Sequence, residues 1–115
     1  AYLNSYYRLT ELVDKEIGEV IEALKRNGMY ENSLIIFTSD HGDGMAAHEW
    51  AAKLSFYEES VKVPLIMVLP EKWQRGAVNS GLVSLVDLVP TFCDYAGVSP
   101  KTNFAGMSLR RAISN

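Results

Sequence analysis

Leu34-Ile35-Ile36-Phe37-Thr38-Ser39-Asp40-His41-Gly42-Asp43-Gly44 decides the fold class of this chain. An apolar, β-branched run proceeds without alternation and stops abruptly at short polar residues and glycine. An unalternating run of this kind is expected of a parallel strand covered on both faces. A second run, Val63 to Leu69, is bracketed by Pro64 and Pro70. Proline is tolerated at the start of a strand, where its missing donor falls outside the ladder. Leu82 to Val86 reads as a third, short strand.

Upstream of the first run, Tyr6, Leu9, Val13, Ile17, Val20, Ile21 and Leu24 recur at three- and four-residue steps. The spacing predicts an amphipathic helix from about Asn4 to Asn27, with that stripe packed in a core. Glu11 with Lys15, and Glu22 with Arg26, are acid-before-base pairs four apart on its wet face. Lys25 and Arg26 suit the negative end of the helix dipole, and Gly28 is a natural left-handed stop. Downstream, Asp87 is expected to cap a helix running through Ala96, with Pro90 in its first turn. Leu88, Val89, Phe92, Cys93 and Ala96 would form the buried stripe and Gly97 the end. This order of elements predicts an α/β fold, a layered sheet with flanking helices, in a single domain over 1–115.

Composition narrows the function. One hundred and fifteen residues, 48% hydrophobic and 22% charged, make a globular chain and exclude a disordered tail or a coiled coil. A net charge of −3 without a basic cluster argues against nucleic acid as a partner. A single cysteine, Cys93, rules out an internal disulfide and a cysteine-rich zinc site. Val63 to Leu69 is far shorter than the ~20 residues of a membrane span. The start, Ala1-Tyr2-Leu3-Asn4-Ser5, has neither an initiator Met nor a signal-peptide pattern, and is expected to belong to a mature chain or an excised piece of a larger one.

Ligands of open α/β sheets collect at the carboxyl ends of strands, where Ser39 to Asp43 lies. Asp40 and His41 could both reach one cation if the chain turns, and Gly42 permits a turn. Taken alone, short polar residues in such a place are more often turn formers. The segment that follows carries His48, Trp50, Lys53, Tyr57, Glu58 and Glu59, and is too long and polar for a simple connector. Asp-His, a second histidine and a lysine in one loop suit an anionic ester. A cation polarises its oxygens, an imidazole protonates a leaving oxygen, and an ammonium neutralises developing charge.

Thr38-Ser39-Asp40-His41-Gly42-Asp43, Lys53, Tyr57-Glu58-Glu59-Ser60 and Val63-Pro64-Leu65-Ile66 together resemble the sulfatase family of the alkaline-phosphatase superfamily. The resemblance extends through Gly28 to Leu34, Val83 to Thr91, Ala96-Gly97 and Gly106 to Leu109, and so covers nearly the whole chain. It implies an alkaline-phosphatase-like fragment, the C-terminal part of a catalytic domain that cleaves a sulfated small molecule or saccharide. By the same resemblance, Asp40 and His41 would be ligands of a divalent cation, usually calcium. His48 would stand near the leaving-group oxygen and Lys53 would contact the sulfate. The same likeness implies a secreted or periplasmic setting, and gives Glu58 and Glu59 no role beyond support of the loop.

Two departures stand out. Many relatives read Gly-Glu-His-Gly around the second histidine, where this chain reads Ala46-Ala47-His48-Glu49. The family's formylglycine nucleophile arises in a Cys/Ser-x-Pro-x-Arg context that 1–115 does not contain, and Cys93 reads as packing. The nucleophile and further metal-binding carboxylates are therefore expected upstream, and this chain alone is expected to be inactive. An Asp-His pair also serves phosphate and phosphonate ester hydrolases, and imidazole suits zinc or manganese better than calcium. A phosphoester or phosphonate hydrolase, and a non-catalytic binding module, stay open beside the sulfatase reading. With two or three strands, a sheet edge and a sheet face should lack cover, so self-association as a homo-oligomer is expected.

Overall fold

A computed structural model describes residues 2–49, 53, 55–70, 76–99 and 101–113; Trp50, assigned above to the functional loop, lies outside them. The chain divides into two compact units, Ala1–Glu71 and Lys72–Asn115.

The first unit opens with α1, Tyr2–Arg26. Its ion pairs join Arg8 to Glu11 at 2.6 Å and Lys25 to Glu22 at 2.7 Å, three residues apart rather than the four expected. Lys15 turns to Glu19 instead of Glu11. The helix ends where the sequence puts its stop. Gly28 takes φ 65°, the Gly28 N–H donates to the Lys25 carbonyl, and the Met29 N–H donates to the Leu24 carbonyl. That pair of bonds is a Schellman motif, which satisfies carbonyls the helix would otherwise leave open. The apolar stripe is buried only in part. Ile17, Ile21 and Leu24 are half-buried, whereas Tyr6, Leu9, Val13 and Val20 are exposed.

A turn at Tyr30–Asn32 leads into β1, Ile35–Thr38. A one-turn helix, α2, spans Glu58–Val61, and β2 follows at Leu65–Val68. The strands pair antiparallel, with Ile35 opposite Val68 and Thr38 opposite Leu65. The expectation of a parallel strand is thus corrected for this pair. An unalternating apolar run says nothing about the direction of its neighbour, and the expected cover on both faces is also corrected, since Phe37 and Ile66 are exposed and no residue of either strand is fully buried. Here the long segment after Thr38 doubles back and delivers β2 against β1 from the opposite sense.

In the second unit, Leu82 to Val86 is not a strand. Leu85–Asp87 forms a 3₁₀ turn that runs directly into α3, Leu88–Ala96. Asp87 explains the difference. Its carboxylate accepts the Ser84 N–H at 2.9 Å and the Met107 N–H at 2.8 Å, which folds the segment back and closes it against a distant loop. Asp87 therefore closes the turn before α3 and does not cap α3 itself, since its own backbone is already helical. Gly97 ends α3 at φ 66°, again with the paired bonds of a Schellman motif, from Gly97 to Asp94 and from Val98 to Cys93.

The centre of this unit is Thr91, fully buried, rather than the expected stripe. Its hydroxyl donates to the Asp87 carbonyl at 2.6 Å and accepts the N–H of buried Leu109 at 2.9 Å. Leu88 and Cys93 are half-buried, while Val89, Phe92 and Ala96 face out. A short α4, Arg110–Ile113, follows, with the Arg110 guanidinium on the Asp94 carboxylate at 3.1 Å.

Candidate functional site

β1 ends because its next residues bond among themselves. The Ser39 hydroxyl donates to the His41 carbonyl at 2.7 Å, and the Asp40 carboxylate accepts the His41 N–H at 3.0 Å. These local bonds compete with a sheet ladder and throw both side chains to the strand's carboxyl end.

His41 Nδ1 lies 2.9 Å from the Gly42 carbonyl oxygen, and its Nε2 lies 3.3 Å from Asp40 Oδ2. A carbonyl can only accept, so Nδ1 carries a proton; a cationic ring would donate Nε2–H to Asp40, and a neutral one would present its Nε2 lone pair there. Two acceptors at that separation need a proton or a cation between them. One carboxylate oxygen and one imidazole nitrogen fit a divalent ion as adjacent ligands. Among the described residues no group of three or more His, Cys, Asp or Glu gathers to complete such a shell. For Asp40, desolvation acts to raise the pKa. The His41 N–H, the His41 charge, its own backbone N–H and the Lys53 charge outweigh that, so the carboxyl sits below its ordinary value. Lys53 is thus near enough for its field to reach Asp40.

Gly42 serves close approach rather than a left-handed turn. Its N–H donates to the Ser60 carbonyl at 2.8 Å, and a Cβ there would land on the Glu59 carbonyl oxygen. Only glycine fits, and the Asp40-His41 segment is thereby seated on α2. Asp43 ties the same loop elsewhere. Its Oδ1 accepts the Tyr2 hydroxyl at 3.1 Å and the Met45 N–H at 2.8 Å. The bond to Asp43 raises the Tyr2 phenol above its ordinary pKa.

Beyond Gly44 the backbone is strained. Met45, Ala46, His48 and Glu49 all hold positive φ, between 52° and 66°. None of the four is glycine, the residue that adopts this conformation at no steric cost. This backbone brings the His48 imidazole onto the Tyr57 ring, centroids 4.2 Å apart and planes 20° from parallel. His48 Nε2 lies 3.6 Å from Glu59 Oε1. Glu58 points elsewhere and pairs with Lys62 at 3.4 Å.

The fold therefore makes two groups from the four candidate residues. Asp40 and His41 meet directly with Lys53 in electrostatic reach, and His48 joins Tyr57 and Glu59. Sequence reading gave those last two no more than a supporting part; the only signal for them was their place in the Tyr57-Glu58-Glu59-Ser60 stretch.

A protein-family model described as Sulfatase matches residues 1–98. The chain is 34% identical over 114 residues to an N-acetylglucosamine-6-O-sulfatase of Bacteroides thetaiotaomicron, covering 99% of this chain and 20% of that protein. It is similar to a solved structure in complex with its substrate D-glucosamine-2-N,6-O-disulfate. That match has a TM-score of 0.83 and 36% identity over 90% of this chain and 21% of the other. It is similar as well to a phosphonate monoester hydrolase from Silicibacter pomeroyi, with a TM-score of 0.83 and 33% identity over 89% of this chain and 20% of the other. The chain spans about a fifth of the length of these relatives. The α/β, alkaline-phosphatase-like fold expected from sequence is borne out by these likenesses.

Proposed function

This chain belongs to the sulfatase family, and on that premise we propose that the full-length protein carrying it hydrolyses the sulfate ester of a sulfated saccharide, with 1–115 as part of one catalytic domain. The observation that carries the reading is the Asp40–His41 pair, 3.3 Å between Oδ2 and Nε2 at the end of β1, within the field of Lys53. The family implies a metal ion and a formylglycine in the whole protein, and we assign Asp40 and His41 to the ion, with calcium as its identity. When bound, that ion supplies positive charge to the sulfate oxygens. Lys53 holds a sulfate oxygen through its ammonium and neutralises charge that builds there. His48 gives a proton to the departing alcohol oxygen. The attacking group belongs to the segment we place upstream.

The likeness to a phosphonate monoester hydrolase supports a second reading, in which the same residues serve a phosphonate ester. Paired substrates separate the two. The full-length protein is assayed on sulfate and phosphonate esters with the same leaving phenol. A higher kcat/KM on the sulfate, lowered about 100-fold by Lys53→Ala, is expected. A preference for the phosphonate would overturn the sulfatase reading.

A further inference from the structure

Glu59 touches both halves of the site. Its carbonyl oxygen occupies the space a Cβ of Gly42 would need, beside the Asp40-His41 segment, and its carboxylate faces His48 Nε2 at 3.6 Å. Tyr57, two residues earlier, lies flat against the same imidazole at 4.2 Å. Face and edge of the ring are thus both held by one short turn. We infer that Glu59 is a positioning residue for His48, orienting its ring through Nε2–H and setting a carboxylate against it, with Tyr57 holding the ring plane. This deepens the proposed ester hydrolysis and rests on it.

The chemistry follows the general logic of an acid or base oriented by a third group. With Nε2–H directed at Glu59, the transferable proton is the one on Nδ1. As the attacking oxygen bonds to sulfur, the bond from sulfur to the leaving oxygen breaks and its electron pair departs with that oxygen. The Nδ1 proton passes to it, an alcohol leaves, and His48 becomes neutral. The 3.6 Å separation is longer than a hydrogen bond, and catalytic contacts of this kind tighten when substrate is bound. The strained φ of 54° at His48 is consistent with a ring brought to this place by its surroundings.

The test uses the full-length protein and aryl sulfates whose leaving phenols range from acidic to weakly acidic, with an alkyl sulfate at the far end. A nitrophenolate needs little protonation, whereas an alkoxide needs much. For Glu59→Gln, kcat/KM on the nitrophenyl ester is expected to stay within about threefold of the parent. On the alkyl ester it is expected to fall on the order of 100-fold. Tyr57→Leu should show the same slope, Tyr57→Phe should keep the parent's, and Glu58→Gln should change nothing. A loss of equal size on every ester, or no loss, would overturn the inference, because a merely structural residue is blind to the leaving group. If Glu59→Gln fails to fold, the Tyr57→Leu and Tyr57→Phe pair carries the same comparison. If the protein prefers phosphonate esters, the series is repeated on aryl phosphonates, so a wrong ester class and a wrong role for Glu59 give different results.

Discussion

Gly42 and Ala46 show how two positions in one loop obey different rules. At Gly42 the constraint is space, since a methyl group would strike the backbone oxygen of Glu59. Gly42→Ala is expected to lower stability by about 1–3 kcal/mol, the range for overpacking, in denaturant melts of the chain. At Ala46, with φ 66°, the constraint is the side chain itself. A left-handed backbone costs a non-glycine residue about 1–2 kcal/mol, against which glycine loses about 0.4–1 kcal/mol through the freer unfolded chain. Ala46→Gly is therefore expected to be neutral or mildly stabilising. Ala23→Gly inside α1 should instead cost about 1 kcal/mol, so the two melts should shift in different directions or by clearly different amounts. The family's glycine pattern was legible in sequence as a departure. That the backbone is left-handed at Ala46 and Glu49 was not, because it depends on what the rest of the loop imposes.

At the scale of elements, the turn before α3 is expected to respond to pH. The Met107 and Ser84 N–H groups, in that order, hold the Asp87 carboxyl below its ordinary value. A group whose folded pKa is depressed stabilises the fold above its unfolded pKa, and that contribution is lost as pH falls through the folded value. The second unit should therefore hold steady at neutral pH and weaken below about pH 4. Asp87→Asn should be less stable than the parent at neutral pH, and the gap should narrow on acidification. Chemical denaturation followed at several pH values checks this; a gap independent of pH would contradict it. The same carboxylate explains a sequence error. Leu82 to Val86 has strand-like composition, yet Asp87 reaches back to Ser84 and makes a turn of it. Helix α1 and the strands β1 and β2 were legible because their patterns and stop signals are local. The antiparallel sense of the two strands was not.

At the scale of the whole molecule, the described residues of each unit leave much apolar surface exposed. Within the first unit Tyr7 and Leu9 are 60% and 62% exposed, and in the second Val78 is 97% exposed. Patches of such residues seldom stay uncovered in isolated soluble domains, and a net charge of −3 opposes association only mildly. The isolated 115-residue chain is expected to self-associate, with sedimentation showing a weight-average mass that rises with concentration. A stable monomer at high concentration would refute this. The same piece should bind calcium weakly in calorimetry, since Asp40 and His41 offer two ligands to an ion that takes six to eight.

Sequence by itself determined what depends on neighbours along the chain. The apolar stripe at three- and four-residue steps and Gly28 placed α1, two apolar runs placed the strands, and Asp40, His41, His48 and Lys53 stood out by residue type and order. Tertiary structure decided what depends on residues far apart in sequence. It set the direction of β2 against β1, the seat of Gly42 on the Glu59 carbonyl, and the meeting of His48 with Tyr57 and Glu59. The physical reason is one of range. Helical periodicity and turn chemistry act over about four residues, whereas strand pairing and close backbone contact exist only after the intervening loop has closed.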